Sequence, residues 1–134
     1  MTMNQLRTGL SNRLATISGL RSYAYIPDDP NPPVAVVLPQ GITYDTTMNR
    51  GMDEYEFSIL VLGGRVSDRA GQLAMDAYCN PSGTSSIKAA IEGEKTLGGV
   101  AYDCRVREMR NLSQTTVGDQ QFLSAEFVVT VYAS

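Results

Sequence analysis

The sequence predicts a single α+β domain, residues 1–134, with a mixed or antiparallel sheet of about five strands packed against two or three helices. Three observations predict it. Tyr55, Phe57, Ile59 and Val61 alternate with Glu54, Glu56 and Ser58, the period of a strand with one packed face. Leu123, Ala125, Phe127, Val129 and Val131 alternate in the same way near the C-terminus. Leu6, Leu10, Leu14 and Ile17 instead recur at helical spacing, one apolar stripe near the N-terminus.

Taken in order, residues 4–18 read as a helix with Asn4 as its cap and Gly19 at its end. Arg7 and Arg13 lie on its polar side, a solvated face or a basic patch for a partner subunit. Residues 21–26 are short, aromatic and extended in character. The segment PDDPNPP cannot continue a helix or sit inside a sheet, and makes a stiff external turn. The apolar run VAVVLP suits the sheet interior. Residues 41–52 alternate weakly at Ile42, Tyr44 and Thr46, as a strand extension or a projecting hairpin arm. The central strand follows. Leu60 and Leu62 make its second face apolar, so its end is expected to be covered on both sides. Gly63-Gly64 is expected to turn the chain, Ser67 to cap a helix, and Ala70, Leu73, Ala74, Ala77 and Tyr78 to form its buried stripe. Ser85 or Ser86 can cap a short helix through IKAAIEG. Val100, Tyr102, Cys104 and Val106 then alternate with Ala101, Asp103, Arg105 and Arg107 as a strand whose basic end, RVREMR, projects beyond the core. Residues 111–120 read as a polar connection to the last strand, its antiparallel neighbour.

Composition narrows the chemistry. The 134 residues suit one core and carry a net charge of −3. A pI near 4.8 argues against non-specific nucleic-acid binding, which uses a basic excess. No apolar stretch approaches the ~20 residues of a membrane span, and the N-terminus shows no apolar signal core. There is no histidine, which excludes imidazole bases, histidine triads and imidazole metal ligands. Cys79 and Cys104 read as small core residues. Ser67, Ser85 and Ser86 read as caps and not nucleophiles, and the glycine pairs as turns and not phosphate cradles. Glu54 and Glu56 share a strand face and could in principle hold a cation or act as acid and base. Nothing in the sequence places a third ligand, and such pairs are common on solvated strands. Arg105, Arg107 and Arg110 lack the interleaved aromatics of a base-stacking platform.

Charge is unevenly placed along the chain. The first 27 residues hold no acid, whereas Asp28 to Glu56 hold six acids and one arginine. A head-to-tail contact joins two different surfaces and repeats until a ring closes, and complementary charge steers it. The candidate subunit-interface residues are therefore Arg105, Arg107 and Arg110 on one side, and Asp28, Asp29, Asp53, Glu54 and Glu56 on the other.

The whole layout resembles the tail terminator proteins of long-tailed bacteriophages, also called neck, tail-completion or minor tail proteins, particularly those of phages of actinobacteria. The resemblance runs through LRTGLSNRLATISGLRSYAYIPD, the proline-rich turn with VAVVLP, SGTSSIKAAIEG with TLGGVAYDCRV, and AEFVVTVYA. Its most specific part is GITYDTTMNRGMDEYEFSILVLGGRVSDRAGQLAMDAYC. It implies a structural virion protein made in the host cytoplasm. Such subunits form a homohexameric ring at the head-proximal end of the tail tube, stop tube polymerisation and present a surface to the head-tail connector or stopper protein. DNA passes through the lumen without specific binding. No cofactor, metal, catalytic residue or membrane is implied. A head-completion or adaptor protein of the connector is the alternative, and a small α+β enzyme a more distant one.

Overall fold

A computed structural model describes residues 3–17, 20–25, 34–44, 52–65, 69–99, 101–117 and 120–133. The described elements are α1 (Met3–Leu14), β1 (Arg21–Tyr23), β2 (Val34–Thr43), β3 (Asp53–Arg65), α2 (Arg69–Cys79), α3 (Ile87–Glu92), β4 (Asp103–Val117) and β5 (Gln120–Ala133). The strands form one sheet in the order β1-β2-β3-β5-β4. Only the β1–β2 pair is parallel, and the other neighbours are antiparallel. The sheet is therefore mixed and the domain α+β, as the patterning predicts.

One face of the sheet packs against the helices. Tyr55, Phe57, Ile59 and Val61 of β3 are buried there, and their partners on β5 are Val131, Val129, Phe127 and Ala125. Leu6, Leu10 and Leu14 of α1, Met75 and Tyr78 of α2, and Ile87 and Ile91 of α3 complete that core. On the other face Val34, Val36 and Leu62 form a smaller buried cluster with Tyr23 and Leu38 against it. The second apolar face expected at the end of β3 is thus real, although it is confined to the β1–β2 side.

Several elements differ from their sequence reading. Gly63-Gly64 does not turn the chain. β3 runs through both glycines to Arg65, with a register irregularity after Leu62. A Cβ at Gly63 would lie 2.7 Å from Met75 Cε, the far end of a flexible side chain, so α2 packs beside the strand at this point. Of the expected α2 stripe, Tyr78 is buried and Ala77 half-buried, but Leu73 is 62% exposed, and Met75, outside that stripe, is buried.

β4 and β5 also extend through much of the expected 111–120 connection. They pair from Asp103↔Tyr132 to Val117↔Gln120. Residues 111–114 of this strand are exposed, and polarity alone does not distinguish such a strand from a loop. Before β4, the expected alternation fails at one step: Ala101 is buried and Tyr102 exposed. Leu97, Gly98 and Gly99 all have positive φ, and the Ala101 N–H donates to Thr96 O, so a tight turn sets the entry. Val100 lies outside the described residues.

Of the expected arm, residues 41–43 end β2 and Thr43 pairs with Glu54. Residues 45–51 lie outside the described residues, as do Gly19, Ser67 and the whole PDDPNPP turn. Asn4 is inside α1 and not its cap, and its amide donates to Tyr25 Oη. Arg7 and Arg13 are internal fasteners. Arg7 donates to Ala24 O at 2.6 Å and to Val37 O at 3.3 Å, and lies over the Tyr25 ring. Arg13 donates to Ala90 O at 2.9 Å and ties α1 to α3.

Phe57, fully buried in the central strand, is the sharpest probe of this core. Phe57→Ala is expected to lower unfolding free energy by about 3–5 kcal/mol through lost transfer and a residual cavity. Urea denaturation followed by circular dichroism measures it. The exposed control Lys95→Ala should stay within about 0.5 kcal/mol of the parent.

Candidate functional site

The sheet face opposite the helices carries the charged residues singled out in the sequence. Strand register fixes this. Glu54 is opposite Tyr132 and Glu56 opposite Thr130 on β5. Tyr132 and Thr130 are in turn opposite Asp103 and Arg105 on β4. Directly opposed residues project to the same side, so Glu54, Glu56 and Arg105 share one face. Arg107 borders a shallow groove of about 220 Å³ on that face with Gly41, Thr43, Glu54, Glu56 and Thr130. Tyr132 Oη donates to Glu54 Oε1 at 3.4 Å. Thr130 at the centre is only 2% exposed.

The acids of β3 and the arginines of β4 therefore meet on one face of one subunit, flanking β5. Primary sequence separates them by some fifty residues, and only the antiparallel pairing through β5 joins them. Asp53 precedes Glu54 on the same strand, whereas Asp28 and Asp29 lie outside the described residues.

Arg110 finds carboxylates in its own chain. Its Nη2 lies 3.0 Å from Glu126 Oε1 and its Nη1 3.4 Å from Glu108 Oε1. Asn111 Nδ2 donates to Glu126 Oε2 at 3.0 Å. The bond from Asn111 holds the Glu126 carboxyl below its ordinary range, with Arg110 and Ser58 adding to the effect against its partial desolvation. Asn111 has φ 57°, a left-handed conformation that asparagine tolerates better than most residues, within a register shift between Arg110 and Ser113. Arg105 and Arg107 have no ion-pair partner within 4 Å among the described residues.

A second polar device seals the top of β4. Ser86 caps α3, accepting from the Ala89 N–H at 3.1 Å. Glu92, at the other end of that helix, pairs with Lys88 at 2.6 Å and accepts from the Val106 N–H at 3.0 Å. Asp103 Oδ1 accepts from the Cys104 N–H at 2.9 Å. Burial alone would raise the Glu92 carboxyl, but the bonds from Lys88 and Val106 outweigh it and leave it below its ordinary value. Sequence reading missed Glu92. An acid four residues after a lysine suggests a helix-surface pair, and nothing local signals that it also reaches β4.

The cysteines sit in protective settings. Cys104 is fully buried, and burial together with Asp103 and Glu92 pushes its thiol up to about 12. Cys79 is half-buried, and burial and Asp76 raise it too. Both are free thiols. Among the described residues no group of three His, Cys, Asp or Glu side chains is placed to hold a metal. No helix among them is long and apolar enough to cross a membrane. No protein-family model and no curated protein matches this chain.

The Glu92 lock makes stability depend on acid. Its carboxyl protonates more readily unfolded than folded. Its contribution is therefore complete above the ordinary glutamate value of 4.5 and is lost as pH falls through the lower folded value. Urea titrations from pH 6 to pH 3 are expected to show a decline that is shallower in Glu92→Gln than in the parent. Parallel declines would remove Glu92 as a contributor.

Proposed function

We propose that this protein is a ring-forming tail terminator of a long-tailed bacteriophage. In this reading it is a structural subunit that ends tail-tube polymerisation and joins the tail to the head connector. The observation that carries the reading is the division of the sheet into two unlike faces. One face is covered by α1, α2 and α3, and the other is a broad charged surface on which Glu54, Glu56, Arg105 and Arg107 stand around the buried Thr130. A broad surface with a shallow groove suits contact with other subunits better than enclosure of a small substrate, which needs a cavity that surrounds it. The resemblance of the whole sequence to tail terminators supports the same reading and supplies the partners: other copies of the chain, the major tail tube protein and the connector or stopper protein.

In a ring each subunit presents different surfaces to its two neighbours, to the tube and to the connector. The negative net charge suits a lumen through which DNA slides, because like charge offers phosphates no trap. Arg105 and Arg107 are the cations available to a neighbour's carboxylates, since Arg110 is already engaged by Glu126. Glu54 and Glu56 lie on the same face, in the groove that Arg107 borders, so a neighbour meets a surface of both signs.

Light scattering over a concentration series, with and without purified tail tube protein from the same phage, tests this. A species near six times 14.5 kDa, alone or only with tube protein, is the expected result. A chain that ignores tube protein and instead binds portal or capsid connector would favour the adaptor alternative. Arg107→Glu is expected to raise the concentration for half-assembly about three- to tenfold, the scale of one or two exposed charge pairs. It should also make assembly less sensitive to salt.

A further inference from the structure

The groove on the face away from the helices holds charges of both signs that do not pair. Glu56 and Arg107 both line it, in a space of about 220 Å³. Neither has an ion-pair partner within 4 Å among the described residues. Glu54 gives one oxygen, Oε1, to the Tyr132 hydroxyl. Opposite charges held apart in so small a space leave room for a ligand between them. The strands on either side are irregular at this point. The shift between Val106 and Glu108 leaves Arg107 without a partner on β5, and that between Pro39 and Gly41 leaves Gln40 without one on β3. Bulges of this kind re-aim side chains. The floor of the groove is Thr130, 2% exposed. Its hydroxyl makes no hydrogen bond among the described residues. No fully enclosed side-chain nitrogen or oxygen among them lacks a partner, so this hydroxyl opens to the groove that Thr130 lines. A polar group so deeply placed, with no partner in its own chain, is suited to one from outside.

We propose that this groove binds a small zwitterion of the amino-acid class, with a primary ammonium and a carboxylate. An ammonium has three donors and no acceptor. The free oxygen of Glu54, the Glu56 carboxylate and the Thr130 hydroxyl supply three acceptors. Charged hydrogen bonds of this kind run about 2.8 Å, so one nitrogen bridging two carboxylates spans roughly 5.6 Å. Alternate residues of a strand lie about 6–7 Å apart, which matches Glu54 and Glu56. Arg107 brings a planar fork of donors that suits a carboxylate. A divalent cation suits the groove less well. It takes about six or more oxygen ligands, and the Arg107 guanidinium in the same groove repels its double charge. A lysine side chain of another protein would satisfy the acids and leave Arg107 unused. The site lies within one subunit and does not rest on the tail terminator reading.

Nuclear magnetic resonance titration of the full chain tests this, at a concentration where light scattering gives 14.5 kDa. The probes are glycine, β-alanine and γ-aminobutyrate. Ethylamine and acetate are the single-charge controls, and calcium chloride is the metal control. At least one zwitterion is expected to shift the amide signals of Glu54, Glu56 and Thr130 saturably, with a Kd of about 1–10 mM. Ethylamine and acetate should each bind about tenfold more weakly. Thr130→Val keeps the branched shape and removes the hydroxyl. It should weaken the zwitterion and ethylamine about three- to tenfold and leave acetate unchanged. Glu56→Gln, at an exposed position, should act in the same direction and guards against a folding defect at Thr130. Arg107→Gln should instead weaken the zwitterion and acetate and spare ethylamine. Signals that stay still with every zwitterion up to about 100 mM, tenfold beyond the expected range, would overturn the proposal. So would saturation by calcium alone, or binding unchanged in both Thr130→Val and Glu56→Gln. Ethylamine binding as tightly as every zwitterion would reject it too, and would point to a docked lysine. Mass is read on the same samples, so loss of ligand binding and failure of ring assembly are separate results.

Discussion

The fold depends on the burial of one face of β3. That strand is third of the five, so it is paired on both sides, and its Tyr55–Phe57–Ile59–Val61 face meets the helices. Tyr55 and Phe57 stack with ring centroids 6.4 Å apart. β5 contributes Ala125 to Val131 beside them, and α2 rests directly on β3. At Gly63 the strand meets the end of the Met75 side chain. Met75 and Tyr78 face the core, and Leu73 is exposed although it fits the helical stripe in the sequence.

Polar groups organise what lies around this core. Arg7 and Arg13 each reach backbone carbonyls on another segment, so α1 is fixed by guanidinium groups as well as by its leucines. Their long stems allow the charged ends to reach partners far from their own backbone. Glu92 does the same from α3 to β4 and blocks part of an edge that would otherwise be open. The acids and arginines of the open face act differently. They do not fasten helices, and they form a surface around β5 that is charged in both signs.

Much of the layout was legible in the sequence because alternation and helical spacing are strong signals in long elements. The core faces of β3 and β5, the stripe of α1 and the Ser86 cap of α3 all follow from local pattern. The extension of β4 and β5 into NLSQTTV was not legible, because its exposed residues 111–114 show no apolar alternation to mark a strand. Gly63-Gly64 misled for a related reason. Glycine permits a turn but also permits close packing, and sequence does not say which is used. Arg105, Arg107 and Arg110, read from the sequence as candidates for a subunit interface, are exposed. Their intramolecular neighbours were not foreseen, since Glu54, Glu56 and Glu126 reach them only through the strand order.

By itself, the sequence determined the α+β class, the identity of the main strands and helices, and most of the core. Those properties rest on periodicity, which acts within a dozen residues. Tertiary structure alone decided the order β1-β2-β3-β5-β4, the face of α2 that is buried, and the gathering of β3 acids and β4 arginines on one surface. Each of these depends on contacts between residues far apart in the chain, and strand register converts a linear separation of charges into a single shared face.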